Sequence, residues 1–121
     1  MSTQVKAAFT ITGWDESVYD SSPPVLARVE VGKTFTGPLE GTSTAQLLTC
    51  GTAGYVASER FTGTLDGRAG TFLLQHGATM SSSGPTMFGH VVPGSGTGAL
   101  EGLSGTVRME HELITLDYDL G

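Results

Sequence analysis

Three side chains of this sequence combine a proton-transferring group with a largely apolar setting: Glu59, His76 and Tyr118. Glu59 lies between apolar neighbours, which disfavour the ionised carboxylate and are expected to raise its pKa towards the working range of a general acid or base. His76 could shuttle a proton or bind a ligand carbonyl, and the phenols of Tyr118 and Tyr55 could donate to a developing oxyanion. We therefore expect these three residues to be catalytic, with Glu59 transferring the proton.

Each of these residues also has a structural alternative. Glu59 could form a salt bridge with Arg28 or Lys33 across the molecule. His76 could be a hydrogen-bonded core residue, and Tyr118 could donate to a backbone carbonyl. Both interpretations stay open at the level of the sequence.

The residues Glu59, His76 and His90 also match the ligand types of a two-histidine, one-carboxylate metal site, which suits iron, zinc or copper. No H-E-x-x-H or similar local motif accompanies them. We therefore expect no metal and no other cofactor, and a metal-dependent enzyme with these three ligands is the alternative.

The elements that must position these residues are short β-strands. Segments rich in Thr, Val, Phe and Leu recur about every 10 to 15 residues and end at Gly, Pro, Asp or Ser, which is typical of antiparallel all-β proteins. Predicted strands cover 4–13, 26–36, 39–50, 54–65, 68–77, 86–92, 98–109 and 113–120. An open sheet of so many short strands would leave two exposed edges, so the sequence favours an eight-stranded antiparallel up-and-down barrel.

One turn sets the register of the fourth and fifth strands. The dipeptide Asp66-Gly67 favours a type I′ hairpin turn, which pairs Glu59 with Leu74. Residues paired across strands share one face of the sheet, and the opposite face carries polar residues such as Arg60. The predicted inward set is Tyr55, Ala57, Glu59, Phe61, Phe72, Leu74 and His76.

Two further turns place more residues inside the barrel. A turn about Ser83 sets His90 opposite His76 and brings Phe88 and Val92 to the same face. A two-residue turn at Gly37-Pro38 sets Gln46 opposite Val29 and points it inward. The predicted ligand-binding residues are Tyr55, Phe61, Phe72, Leu74, Phe88, His90 and Gln46.

The predicted inward set includes polar residues such as Glu59 and His76, and these indicate whether the barrel contains a cavity. An unpaired buried polar group costs about 1–3 kcal/mol, and a barrel of eight strands has room for either a packed core or one small ligand. We therefore expect a wet, ligand-binding cavity. A self-satisfied polar network, or a register error of one residue, is the alternative.

Length, charge and cysteine content limit the class of protein. A chain of 121 residues is expected to form one domain over 1–121. The formal net charge of −6 disfavours binding to nucleic acids and to anionic membranes. Cys50 is the only cysteine, and neither a signal peptide nor a long apolar run is present, so we expect a cytoplasmic protein.

Several sequence blocks occur in one order over almost the whole chain: FTITGWDE at 9–16, KTFTG at 33–37, LEGTS at 39–43, ERFTGTLDGR at 59–68, GTFLLQHG at 70–77, VVPGSGTGALEGLSG at 91–105 and LDYDL at 116–120. The chain resembles, in these blocks, a family of small bacterial proteins of unknown function that belongs with the allene oxide cyclase-like barrels. The resemblance implies an eight-stranded closed barrel. It does not imply the cyclase reaction, because one fold hosts many chemistries.

The function expected from these observations is a small-molecule-binding barrel that performs acid/base chemistry without a cofactor. Isomerisation, cyclisation and addition of water to an activated alkene, an isomerase- or lyase-type activity, are the candidate reactions. The alternatives are a non-catalytic binding protein for a small apolar ligand and the metal-dependent enzyme described above. The expected partner is a small apolar molecule rather than nucleic acid or membrane, and a homo-oligomer stays open.

Overall fold

Eight strands follow one another around a closed antiparallel barrel in the computed structural model, which describes residues 2–121. Each strand pairs with the next along the chain, and the last pairs with the first. The predicted all-β up-and-down barrel is therefore confirmed, and Met1 of the predicted domain lies outside the described residues. The strands are β1 (Thr3–Asp20), β2 (Leu26–Thr36), β3 (Leu39–Cys50), β4 (Gly54–Leu65), β5 (Arg68–Ser81), β6 (Gly84–Val91), β7 (Leu103–Glu110) and β8 (Leu113–Leu120).

The predicted strand bounds hold for β2, β3, β4 and β8 and differ for the others. β1 and β5 extend further than predicted, and β7 begins at Leu103 because Gly98–Leu100 form a 3-10 turn. The loop before that turn pairs with β5: the Val92 amide donates to the Leu73 carbonyl at 2.9 Å. The loop thus covers part of β5 where β6 has ended. No helix among residues 2–121 is long and apolar enough to cross a membrane.

The β4–β5 hairpin has the predicted register. Asp66 and Gly67 have φ values of 49° and 82°, as a type I′ turn requires. Glu59 pairs with Leu74, and both side chains are buried. Arg60 is exposed on the outer face.

The predicted β2–β3 register is wrong by one residue. The sequence predicts Gln46 opposite Val29, whereas the structure pairs Val29 with Leu47 and Lys33 with Ser43. Val29 is fully buried, and paired residues share a face, so the apolar Leu47 takes the inner position. Gln46 therefore points outward.

The predicted β5–β6 turn is also wrong by one residue. Ser82 and Ser83 form a two-residue turn, so Ser81 pairs with Gly84. Gly84 has a φ of +106°, a conformation that favours glycine at the end of this turn. As a result Val91 is buried instead of the predicted Val92.

This shift moves the second predicted histidine out of the barrel. His90 pairs with Gln75 rather than with His76 and is exposed. Phe88 pairs with Gly77 and is 52% exposed on the outer face. Its ring lies so close to Gly77 that a Cβ atom there would come within 2.6 Å of the Phe88 Cε1 atom.

The barrel has a packed end and an open end. At the packed end, the rings of Phe61 and Phe72 have centroids 5.1 Å apart, and Phe35 contacts Phe61 edge-on at 5.6 Å. Leu39 and Leu65 are fully buried beside them. Towards the open end, a separate apolar cluster consists of Val29, Val31, Ala45 and Leu47. A layer of polar residues lies between these two apolar groups.

Adjacent leucines on β5 offer a test of the barrel register. Leu74 is 1% exposed in the core, whereas the neighbouring Leu73 is only partly buried on the other face. We expect Leu74→Ala to lower the free energy of unfolding by about 2–5 kcal/mol, because it leaves a cavity. Leu73→Ala should cost about 1 kcal/mol or less. Urea denaturation of both variants measures the difference, and equal losses would contradict the register.

Candidate functional site

A buried polar network centred on Glu59 forms the layer between the two apolar groups. Glu59 is 1% exposed, and its Oε1 atom accepts hydrogen bonds from Lys33 Nζ at 3.0 Å and faces His76 Nε2 at 2.8 Å. Its Oε2 atom accepts from Ser43 Oγ at 2.6 Å. These partners come from β2, β5 and β3, whose inward positions meet beside Glu59 on β4.

The network continues from His76 towards the open end. The His76 Nδ1 atom lies 2.9 Å from the Tyr55 hydroxyl oxygen. An ionised carboxylate can only accept hydrogen bonds, so His76 Nε2 carries the proton that faces Glu59. In the neutral form of the ring, the Nδ1 atom accepts a hydrogen bond, and the Tyr55 hydroxyl donates it. The chain of donors therefore runs from Tyr55 through His76 to Glu59.

Glu59 has a lowered pKa, and the predicted raised value is wrong. Burial raises the pKa of Glu59, but the hydrogen bond from His76, the Lys33 charge and the hydrogen bond from Ser43 outweigh burial and lower the pKa from 4.5 to about 2. The apolar neighbours foreseen in the sequence are present, yet three donors decide the outcome. Glu59 is thus ionised at neutral pH and is a poor proton-transferring group.

The salt-bridge alternative for Glu59 is confirmed for one of its two candidate partners. Lys33 is buried and contacts the carboxylate, and its Nζ atom also lies 4.9 Å from the centre of the Phe9 ring. Arg28 is exposed on the outer face of β2. The two buried charges neutralise each other, which is the usual condition for burying either of them.

Tyr55 connects this network to a pocket at the open end of the barrel. The pocket has a volume of about 600 Å³. Tyr55 is half-buried in its wall, and burial together with the Glu59 charge raises the pKa of its phenol. The hydroxyl therefore stays protonated at neutral pH. The residues that line this mouth pocket are Trp14, Leu47, Thr49, Gly51, Thr52, Ala53, Gly54, Tyr55, Ala78, Thr79, Met80, Pro85, Met87, Arg108, Met109, Glu110 and His111.

Tyr118 lies away from this network, although the sequence groups it with Glu59 and His76. It is buried at the packed end, where its hydroxyl donates a short hydrogen bond to the Asp66 carboxylate in the β4–β5 turn. The hydrogen bond to Asp66, and then burial, raise the pKa of Tyr118. The contact ties β8 to that turn, so its geometry is that of a structural residue.

Three predicted ligand-binding residues belong to the core rather than to a pocket. Phe61, Phe72 and Leu74 are each at most 1% exposed and pack against one another. None of them lines the mouth pocket. The barrel is filled at their level, so the predicted cavity is limited to the open end.

Three other predicted ligand-binding residues point away from the interior because two registers differ by one residue. Gln46 bonds to Glu30 at 2.8 Å on the outer face. Phe88 and His90 are exposed on β6. The predicted metal ligands Glu59, His76 and His90 therefore do not meet, and no other group of three or more His, Cys, Asp or Glu side chains in the described chain could hold a metal ion.

Sequence reasoning missed Ser43 and most of the mouth pocket. Ser43 faces inward only in the β2–β3 register of the structure, in which it pairs with Lys33. Most of the mouth residues lie on strands, but Trp14 and Met80 fall beyond the predicted ends of β1 and β5, and the segment 51–53 is a loop, where alternation gives no direction. One available signal is that the sole tryptophan, Trp14, and the methionines Met80, Met87 and Met109 all lie near predicted strand ends.

Comparisons with known proteins agree with this fold. The profile of the family described as "Protein of unknown function (DUF3224)" matches residues 5–120. A crystal structure described as a protein of unknown function from the DUF3224 family of Shewanella oneidensis MR-1 is similar, with 32% sequence identity and a TM-score of 0.85. The match covers 100% of this chain and 99% of that chain. No curated protein matches. These relatives share the barrel and carry no stated activity.

The lowered pKa of Glu59 predicts a pH-dependent contribution to stability. The pKa is about 2 in the folded protein and near 4.5 when unperturbed, so the ionised form stabilises the fold above about pH 4.5. This contribution, about 3 kcal/mol, is lost as the pH falls from 4.5 towards 2. We expect Glu59→Gln to be less stable than wild type by about 3–5 kcal/mol at pH 7, because Lys33 is left unpaired.

The difference in free energy of unfolding between wild type and Glu59→Gln should therefore become smaller as the pH falls. Urea denaturation of both proteins at pH 7, 4 and 3 measures this difference. Glu40→Gln is the control, because Glu40 is exposed on the same sheet and should follow the wild-type profile. A gap that stays constant over this pH range would contradict the assignment.

Proposed function

We propose that this chain, which belongs to the DUF3224 family of proteins of unknown function, binds a small, largely apolar molecule in the mouth pocket. The observation that carries this proposal is the hydrogen-bonded chain from Glu59 through His76 to Tyr55, which ends at the pocket wall. The polar group of the ligand contacts the Tyr55 hydroxyl. The apolar part of the ligand rests on the remaining lining.

The size and lining of the pocket support a ligand of this kind. Small-molecule sites typically measure about 300–1,000 Å³ and combine apolar walls with a few placed polar groups. The mouth pocket has a volume of about 600 Å³, and its lining includes Leu47, Met87 and Met109 beside Tyr55. Arg108 and Glu110 at the rim bond to each other at 2.6 Å, so this pair adds no net charge to the pocket.

The energetic character of the network also favours a functional role. Taking two charges out of water costs several kcal/mol per ion, and an apolar replacement of a buried ion pair is often equally stable. Lys33 and Glu59 are both buried here. Core stability alone therefore gives no reason for the pair, whereas fixing the orientation of His76 and hence of Tyr55 does.

A second candidate function is acid/base catalysis on the bound molecule. Tyr55 can accept a proton from the ligand while its own proton passes to His76 Nδ1, and the resulting imidazolium faces the Glu59 carboxylate. This relay assigns proton transfer to Tyr55 with His76, and gives Glu59 the role of a positioning residue. Isomerisation of an activated alkene, cyclisation and addition of water all begin or end with such a transfer.

The proposed setting follows from charge and cysteine content. A net charge of −6 opposes binding to nucleic acids and anionic membranes. Cys50 is exposed and unpaired, which suits a reducing compartment. We therefore place the protein in the cytoplasm as part of the proposal, and self-association is left to direct measurement.

Binding in the mouth pocket can be tested with Nile red, a neutral dye that fluoresces when it leaves water. We expect saturable one-to-one binding to the wild-type protein. Ala78→Phe should weaken it at least about tenfold, or 1.4 kcal/mol, because Ala78 lines the pocket and a larger side chain fills it. Gln75→Phe is the control on the outer face of the same strand. No saturable binding, or equal losses in both variants, would refute the proposed site.

Turnover can be tested separately by proton exchange. We expect the wild-type protein to accelerate exchange of deuterium from the solvent into the acidic C–H positions of 2-tetralone, followed by NMR. Tyr55→Phe should reduce this acceleration about 10²- to 10⁴-fold, because the relay loses its first member. Tyr19→Phe, an exposed residue outside the pocket, should leave it unchanged. Binding of 2-tetralone without any exchange would leave the binding function and remove the catalytic one.

A further inference from the structure

The lining of the mouth pocket differs in kind from the core of the barrel. The sequence contains four methionines and one tryptophan. Trp14 and the three methionines within residues 2–121, Met80, Met87 and Met109, all line this pocket. The buried core, in contrast, consists of Phe, Leu, Val, Ile, Ala and Tyr. The thioether sulfur atoms and the indole of the described residues thus all line this pocket.

This collection favours an aromatic ligand over an aliphatic one. Methionine sulfur makes favourable contacts with aromatic rings, and its flexible side chain adapts to the outline of a ligand. An indole adds offset or edge-on contacts with a second ring. Leucine or valine would serve a purely aliphatic ligand equally well, and only Leu47 among the lining residues is of that type.

The register of three strands shapes one wall of the pocket. Tyr55 pairs with Ala78, and Ala78 pairs with Met87, so these residues form one row across β4, β5 and β6. A small residue between two large ones leaves a recess in the wall. The Tyr55 ring and the Met87 side chain flank this recess, which suits a flat group.

The direction of the hydrogen bonds determines what polar group the ligand carries. The Glu59 carboxylate accepts from Lys33, Ser43 and His76. When the His76 ring is neutral, its Nδ1 atom accepts a hydrogen bond from the Tyr55 hydroxyl. A phenol has one proton to donate, so the oxygen of Tyr55 has only acceptor capacity left. The ligand must therefore supply the donor.

We propose that the ligand of the mouth pocket is a planar aromatic molecule with a hydroxyl, enol or N–H group, and that Tyr55 accepts a hydrogen bond from that group. This inference rests on the proposed function and deepens it by naming the ligand class. It predicts selectivity for aromatic character and, separately, for a donor.

Three matched probes separate these two requirements. 2-Naphthol has both features, 2-methoxynaphthalene keeps the rings and lacks the donor, and decahydro-2-naphthol keeps the donor and lacks aromatic rings. We expect 2-naphthol to bind at least about tenfold more tightly than either of the others in isothermal titration calorimetry at pH 7.5. A site that hydrogen-bonds its ligand discriminates in this way because the unpaired group is costly.

Two variants connect each preference to its residue. Tyr55→Phe should erase the preference for 2-naphthol over 2-methoxynaphthalene, with Tyr19→Phe as the control outside the pocket. Met87→Leu keeps the volume of the side chain and should reduce the preference for 2-naphthol over decahydro-2-naphthol. Both variants should retain the wild-type melting temperature within a few degrees, which separates a lost contact from a lost fold.

The outcomes distinguish failure of this inference from failure of the proposed function. Equal affinity for decahydro-2-naphthol and 2-naphthol would overturn the aromatic class, and equal affinity for 2-methoxynaphthalene and 2-naphthol would overturn the donor requirement. In both cases the pocket still binds apolar molecules. If none of the three probes binds and Nile red fails as well, the proposed function is overturned together with the inference.

Discussion

The buried ion pair of Glu59 and Lys33 is the interaction on which the arrangement of the site depends. A carboxylate in the interior stays ionised only if donors surround it, and here Lys33, Ser43 and His76 supply them from three different strands. Each donor must face inward at the same level of the barrel. The pair therefore fixes the relative positions of β2, β3, β4 and β5 at one height, and it fixes the orientation of the His76 ring, because Nε2 can only point at the carboxylate.

This polar layer divides the barrel into two regions with different tasks. On the side of the packed end, phenylalanine and leucine side chains fill the interior. The hydrogen bond of Tyr118 to Asp66 holds β8 to the β4–β5 turn at that end. On the side of the open end, a smaller apolar cluster lies beneath the mouth pocket. A barrel of eight strands has room for a packed core or an open cavity, and in this chain the packed core and the mouth pocket lie at opposite ends. The polar layer lets the pocket reach hydrogen-bonding groups without opening the core to water.

The sequence predicts the barrel, five of the buried residues around Glu59 and the β4–β5 register, because Asp66-Gly67 has one strongly preferred turn geometry. The turns at Gly37-Pro38 and at Ser82-Ser83 have no such preference, and an error of one residue turns a whole strand over. Such an error at the first turn accounts for Gln46, and one at the second turn accounts for Phe88 and His90. The β2–β3 error also turns Ser43 outward, and the prediction of a raised pKa for Glu59 weighed its apolar neighbours above the alternative of a salt bridge with Lys33. Part of the pocket lining lies beyond the predicted ends of β1 and β5 or in the loop at 51–53, and the alternation pattern of the predicted strands does not reach these residues.

The fold depends on the side chains of the polar layer more than on those that line the mouth pocket. Met80, Trp14 and Pro85 line the pocket and are exposed, so exchanging them alters the pocket surface and leaves the core packing intact. Glu59, by contrast, contacts three other strands, and changing it exposes a buried Lys33 to an apolar interior without a counter-charge. The hydrogen bonds from Glu59 through His76 can thus hold Tyr55 in place while the surrounding mouth residues change. The position of Tyr55 is therefore set by the fold, whereas the outline of the mouth pocket is set by side chains that the fold does not need.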